Sequence, residues 1–142
     1  MVVGYGSVLR GDDAAGARAA AAVARWGLPG VRAIVAHQLT PELAEPLSRA
    51  GLAIFVDARA GGGGVRARQL SPADTLSSLD MHIGDPAALL ALAQALYDRA
   101  PRAWLITIPA QQFTLGAPLS PRTRRALPIA RRRIRRLIEA AR

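Results

Sequence analysis

The sequence contains no cysteine and no lysine. Without thiols there is no disulfide scaffold, no thiolate zinc site, no iron–sulfur cluster and no cysteine nucleophile. Aromatic residues make up only 4% of the chain, too few for a platform of rings that stacks on bases. No unbroken apolar run reaches the roughly 18 residues of a membrane span. No charged leader with an apolar stretch and a cleavage site opens the chain. The expectation is a cytoplasmic protein that neither crosses nor anchors in a membrane. What is present is 142 residues, 51% hydrophobic and 20% charged. That composition excludes disorder as the main state and suffices for one domain over residues 1–142 with a core of its own.

All the basic side chains are arginines, and the net charge is +9. Such a balance first suggests nucleic acid, but its distribution argues otherwise. From Met1 to Pro121 the arginines nearly balance the acids, whereas from Arg122 to Arg142 only Glu139 opposes them. Leu127, Ile134, Leu137, Ile138 and Ala141 recur in this last segment at helical spacing. This predicts an amphipathic helix with an apolar stripe and a solvated arginine face, so no nucleic-acid partner is expected. The lack of lysine beside abundant Ala, Arg and Gly reads as compositional bias and carries no chemistry.

Strands and helices alternate along the chain. Met1 to Tyr5 reads as a short strand that ends in Gly4-Tyr5-Gly6. Asp12 or Asp13 can then cap a helix that runs to about Trp26, where Gly27 stops it. Arg32 to Ala36 is a second strand, and Thr40-Pro41-Glu42 opens a helix that ends near Gly51. Leu52 to Val56 is wholly apolar, as a central parallel strand buried on both faces should be, and it stops at Asp57. After Gly61–Gly64, Val65 to Leu70 alternates like an edge strand. Asp85-Pro86 caps a helix to about Asp98, Ala103 to Ile108 is the last buried strand, and Ser120-Pro121 opens the terminal helix. The alternation predicts an α/β fold: a three-layer α/β/α sandwich around a mostly parallel, twisted, five-stranded sheet, in a single domain.

In such folds, ligands collect beyond the carboxyl ends of the strands. The polar groups expected there are Asp12 and Asp13, Asp57, His82 in the loop before the third long helix, and His37 after the second strand. Each has a plain structural reading: helix cap for Asp13, turn cap for Asp57, surface residue for either histidine. Together, two carboxylates and one imidazole from three separate loops form an N/O set suited to a divalent transition metal. Gly4-Tyr5-Gly6 is half of a dinucleotide fingerprint, but Leu9 stands where the third glycine belongs. Two carboxylates at the helix start would repel a pyrophosphate and favour a cation.

The run Gly4-Tyr5-Gly6-Ser7-Val8-Leu9-Arg10-Gly11-Asp12-Asp13-Ala14-Ala15-Gly16 resembles the opening signature of the nickel–iron hydrogenase maturation endopeptidases. The resemblance continues at Phe55-Val56-Asp57-Ala58, at His82 before a long helix, and at Leu119-Ser120-Pro121. It implies that Asp13, Asp57 and His82 bind the metal and act catalytically through it. It further implies that Asp12 is a structural partner of the site, and that Gly6, Ser7, His37 and Gln38 surround the site or line the substrate cleft. Ser7 stands where the family usually has asparagine. His37-Gln38-Leu39-Thr40-Pro41-Glu42 and Gln111-Gln112 also depart from the family pattern.

The activity implied is removal of the C-terminal extension from the large-subunit precursor of a nickel–iron hydrogenase. The nickel is supplied by the substrate, and other divalent metals such as zinc and cadmium can occupy the same ligands. The precursor is the implied partner, the protease a monomer, and the glycine loops with Ser71 to Met81 are candidates for gripping the substrate tail. No serine–histidine pair and no H-E-x-x-H helix offers a rival proteolytic mechanism. The alternative reading is a non-proteolytic α/β module that binds a metal or a nucleotide.

Overall fold

A computed structural model describes residues 1–72 and 84–142. The strands are β1 (Val2–Tyr5), β2 (Ala33–Ala36), β3 (Leu52–Ala60), β4 (Arg66–Leu70) and β5 (Arg102–Ala110). The helices are α1 (Ala15–Arg25), α2 (Ala44–Arg49), α3 (Pro86–Tyr97) and α4 (Pro121–Ala140). The strands lie in the order β2-β1-β3-β5-β4. All neighbours are parallel except β4, which closes the sheet as an antiparallel edge against β5.

The period-2 alternation of the strands divides the core into two layers. Val2, Ile54, Val56, Ile106 and Ile108 point to one face, where Val23 of α1 and Leu127, Ile134 and Ile138 of α4 cover them. Val3, Tyr5, Ala53, Phe55 and Ala103 point to the other, under Leu47 of α2 and Leu89 and Leu90 of α3. The three-layer sandwich expected from the sequence is therefore the observed architecture. On the first face the backbones of β1 and α1 come close: a Cβ at Gly4 would meet Ala20 Cβ at 2.7 Å, and one at Gly16 would meet the Tyr5 carbonyl oxygen at 2.8 Å.

Several boundaries differ from the expectation. β3 does not stop at Asp57 but continues to Ala60, because β5 is also longer than expected and pairs with it as far as Ala60↔Ala110. β1 pairs with β3 only as far as Gly4↔Val56, so Asp57 stands where the ladder loses its neighbour on one side. Neither Asp12 nor Asp13 caps α1; both lie in a 3-10 turn, Gly11–Ala14, that precedes it without a side-chain cap. Thr40 does not cap the next helix either, which begins as a 3-10 turn at Pro41–Leu43 before α2. Ala141 falls outside α4 and is exposed rather than part of its apolar stripe. Pro128 sits on the exposed side of α4, where its missing N–H interrupts the helix ladder.

The caps at Asp85 and Ser120 are formed as expected: Asp85 accepts the Ala87 N–H at 3.0 Å, and Ser120 Oγ accepts the Thr123 N–H at 3.3 Å. No helix among the described residues is long and apolar enough to cross a membrane.

Candidate active site

The register aligns one row of side chains across the carboxyl end of the sheet. Tyr5 shares a face with Phe55, and two residues further along β3 the same face carries Asp57. Asp57 is opposite Thr107 of β5, and Thr107 is opposite Arg66 of β4. The row therefore reads, from centre to edge, phenol, carboxylate, hydroxyl, guanidinium.

Asp13 reaches this end from the turn before α1. Its Oδ2 accepts the Ser7 amide N–H at 2.7 Å. Gly6 makes the approach possible, since its φ is +135° and a Cβ there would collide with the Asp13 carbonyl oxygen. The Gly6 N–H is shared between the carbonyl oxygens of Ala36 and His37, at 3.2 and 3.1 Å. His37 thus touches the loop through its backbone, while the side chains of His37 and Gln38 are exposed. The Ser7 hydroxyl accepts the Leu9 N–H at 3.4 Å.

Asp57 is held above the usual carboxylate range. Its Oδ1 accepts the Ala58 N–H at 2.8 Å, and the Tyr5 hydroxyl donates to it. Burial pushes its carboxyl up and the charge of Asp13 acts in the same direction; the two donors offset only part of this, leaving a pKa of about 6. The Tyr5 phenol is raised first by its own burial and then by the charge of Asp57, with a further contribution from Asp85. Asp13, Asp57, Asp85 and Tyr5 therefore interact electrostatically at one corner.

Asp12 faces elsewhere. It is fully buried, and its Oδ2 accepts the N–H groups of Gln111 and Gln112 at 2.9 and 3.0 Å and the Ser120 hydroxyl at 2.7 Å. Its Oδ1 accepts the Ser120 N–H at 2.7 Å. Burial alone would raise this carboxyl, but the four donors outweigh it and bring the pKa down to about 2. Asp12 staples the turn before α1 to the loop after β5 and to the start of α4. Gln111 and Gln112 take part through their amides, and their side chains are exposed beside a pocket of about 440 Å³.

His82 and the segment around Met81 lie outside the described residues. Among the described residues no group of three His, Cys, Asp or Glu side chains could hold a metal ion. Of the expected ligands, the structure thus places Asp13 within electrostatic reach of Asp57 and turns Asp12 toward Gln111, Gln112 and Ser120 instead. Reading the sequence passed over Tyr5, whose hydroxyl meets Asp57, and saw Asp85 only as a cap. Alternation along β1 was the available signal: it puts Tyr5 on the face of Val3, with its polar tip at the ligand-binding end.

No protein-family model matches the sequence, and no curated protein matches it. Solved structures do. The hydrogenase maturating endopeptidase HybD from E. coli superposes with a TM-score of 0.74 at 19% identity, over 98% of this chain and 91% of that one. The [NiFe] hydrogenase maturation protease HybD from Thermococcus kodakarensis gives a TM-score of 0.67 at 21% identity, over 96% of each chain. An uncharacterized protein from Wolinella succinogenes gives a TM-score of 0.67 at 18% identity, over 99% of this chain and 97% of that one. The chain is an α/β sandwich with an acidic corner at the carboxyl end of its sheet. More narrowly, its fold is that of the [NiFe] hydrogenase maturation proteases.

Proposed function

We propose that the protein is an endopeptidase that removes the C-terminal extension of a nickel-loaded hydrogenase large-subunit precursor. The observation that carries this reading is the electrostatic proximity of Asp13 and Asp57. They come from different elements to the end of the sheet where α/β folds bind ligands, and they lie close enough for the charge of Asp13 to raise Asp57. Two such carboxylates fit a divalent cation, which relieves their mutual repulsion and keeps Asp57 ionised. The names of the solved relatives with this fold support the peptidase class.

In this reading Asp13 and Asp57, with His82, complete the coordination of the nickel that the substrate carries. The metal supplies Lewis acidity beside the scissile carbonyl. Ser7 holds Asp13 through its amide, and Tyr5 and the Ala58 amide orient Asp57, as groups behind metal ligands commonly do. A nucleotide-binding role is disfavoured, because the Ser7 N–H that would face a phosphate is already bonded to Asp13.

The test is to incubate the protein with nickel-loaded and with metal-free precursor and to weigh the products by mass spectrometry. Trimming of the loaded form alone, lost in Asp13→Asn, supports the reading. An untouched loaded precursor that a control protease still cleaves rejects it.

A further inference from the structure

The other half of the row is basic. Arg59 of β3, Arg66 and Arg68 of β4 and Arg133 of α4 line a pocket of about 500 Å³ with Leu105 and Thr107. The Arg59 guanidinium is held by neutral acceptors: Nη1 donates to Thr107 Oγ1 at 2.9 Å, and Nη2 donates to the carbonyl oxygens of Gly62 and Gly64 at 3.0 and 3.1 Å. Arg122 donates to the Gly63 carbonyl oxygen at 2.9 Å. A Cβ on Gly63 would lie 3.2 Å from Arg66 Nη2 and 3.6 Å from Arg59 Nη2, so these two like charges close on the same glycine.

Among the described residues none of these arginines forms an ion pair with an acid. Gathering like charges is unfavourable unless an anion relieves them. Thr107 links the two halves of the row, since it pairs with Asp57 on one side and Arg66 on the other.

From this juxtaposition we infer that Arg59, Arg66 and Arg68 form an anion subsite beside the acidic corner, and that it takes the carboxylates of an acidic polypeptide segment. A peptide can present a carboxylate to the arginines while its backbone passes Thr107 toward Asp57. A nucleic-acid strand following the same line would bring its phosphates against Asp13 and Asp57, and the apolar side chains that line the pocket, Val65, Ala67 and Leu105, offer no ring for bases to stack on. Arginine suits the role because its planar fork matches a carboxylate. The inference rests on the peptidase reading for its substrate class, but its binding test does not depend on cleavage.

The experiment measures fluorescence anisotropy of metal-free protein with a fluorescein-labelled peptide carrying alternating glutamates, against the same peptide with glutamines. Arg66→Gln is the informative variant, because Arg66 is exposed and its guanidinium makes no hydrogen bond or ion pair among the described residues. It should weaken the acidic peptide about fivefold or more and leave the glutamine peptide unchanged. Arg136→Gln, on the exposed face of α4 far along the helix, should change neither. Equal losses in the two variants would reduce the effect to general charge attraction and overturn the subsite. Tighter binding of a single-stranded oligothymidylate of matched charge, equally dependent on Arg66, would overturn the choice of peptide.

With nickel-loaded precursor, Arg66→Gln should raise KM and leave kcat unchanged. Unaltered KM together with unaltered peptide affinity would reject the subsite while trimming continues. Selective peptide binding without any trimming would reject the peptidase and leave the subsite standing.

Discussion

Asp12 and Asp57 stand at the same end of the same sheet, and their surroundings treat them in opposite ways. Asp12 is sealed from solvent, yet four donors converge on it and its pKa falls to about 2. Asp57 is less deeply buried, meets two donors and the charge of Asp13, and rises to about 6. Burial acts on both in the same direction; the number of donors and the nearest charge decide the outcome. The comparison separates an acid that holds the fold together from one whose ionisation the fold opposes. Stability given up at a binding site is a common exchange for function.

Removing the staple should have the largest effect. Asp12→Ala leaves the buried Ser120 N–H and the Gln111 and Gln112 amides without their acceptor, and should cost about 3–4 kcal/mol in a urea melt. A loss below about 1 kcal/mol would show that water replaces the carboxylate and that Asp12 staples nothing.

Asp57→Asn should go the other way. In the folded protein the pKa of Asp57 lies above its unfolded value, so its ionisation opposes folding as the pH rises through about 6. The variant should gain on the order of 1–2 kcal/mol at pH 8, and the gain should vanish toward pH 4. The Asp12 contribution has the opposite sign: it is complete above about pH 4 and is lost as the pH falls through about 2. Melts of wild type and Asp57→Asn across pH 4–8 read this contrast directly, and a destabilised Asp57→Asn at pH 8 would break it.

Two further substitutions sharpen the picture. Gly6→Ala should destabilise by about 1–3 kcal/mol, since it puts a Cβ at positive φ against the Asp13 carbonyl. Asp85→Ala should cost about 1 kcal/mol through the lost α3 cap.

What the sequence disclosed follows from how local each signal is. The apolar run Leu52–Val56 and the cap pairs Asp85-Pro86 and Ser120-Pro121 carry their structure within a few residues, and they formed where expected. The extension of β3 to Ala60 depends on pairing with β5, which Arg59 and Ala60 do not announce. The partners of Asp12 lie 99, 100 and 108 residues away. No local pattern distinguishes such an acid from its neighbour Asp13, and both looked like helix caps. Tyr5 was hidden in another way: an aromatic in a short buried strand reads as core, and only its register beside Asp57 reveals the hydroxyl. The alternating arginines of β4 read as an edge strand, and that is what they form; their convergence with Arg59 is a tertiary fact.

The central claim, that Asp13 and Asp57 rather than Asp12 form the cation site, is tested most directly by following backbone amides in nitrogen-15 NMR while nickel, zinc or cadmium is added. The amides of Ser7 and Ala58 report on Asp13 and Asp57, and those of Gln111 and Gln112 report on Asp12. The account predicts that Ser7 and Ala58 shift or broaden first, that the response weakens below about pH 6 as Asp57 takes up a proton, and that Asp57→Asn abolishes it. A response centred on Gln111 and Gln112, or one that survives Asp57→Asn, would contradict it.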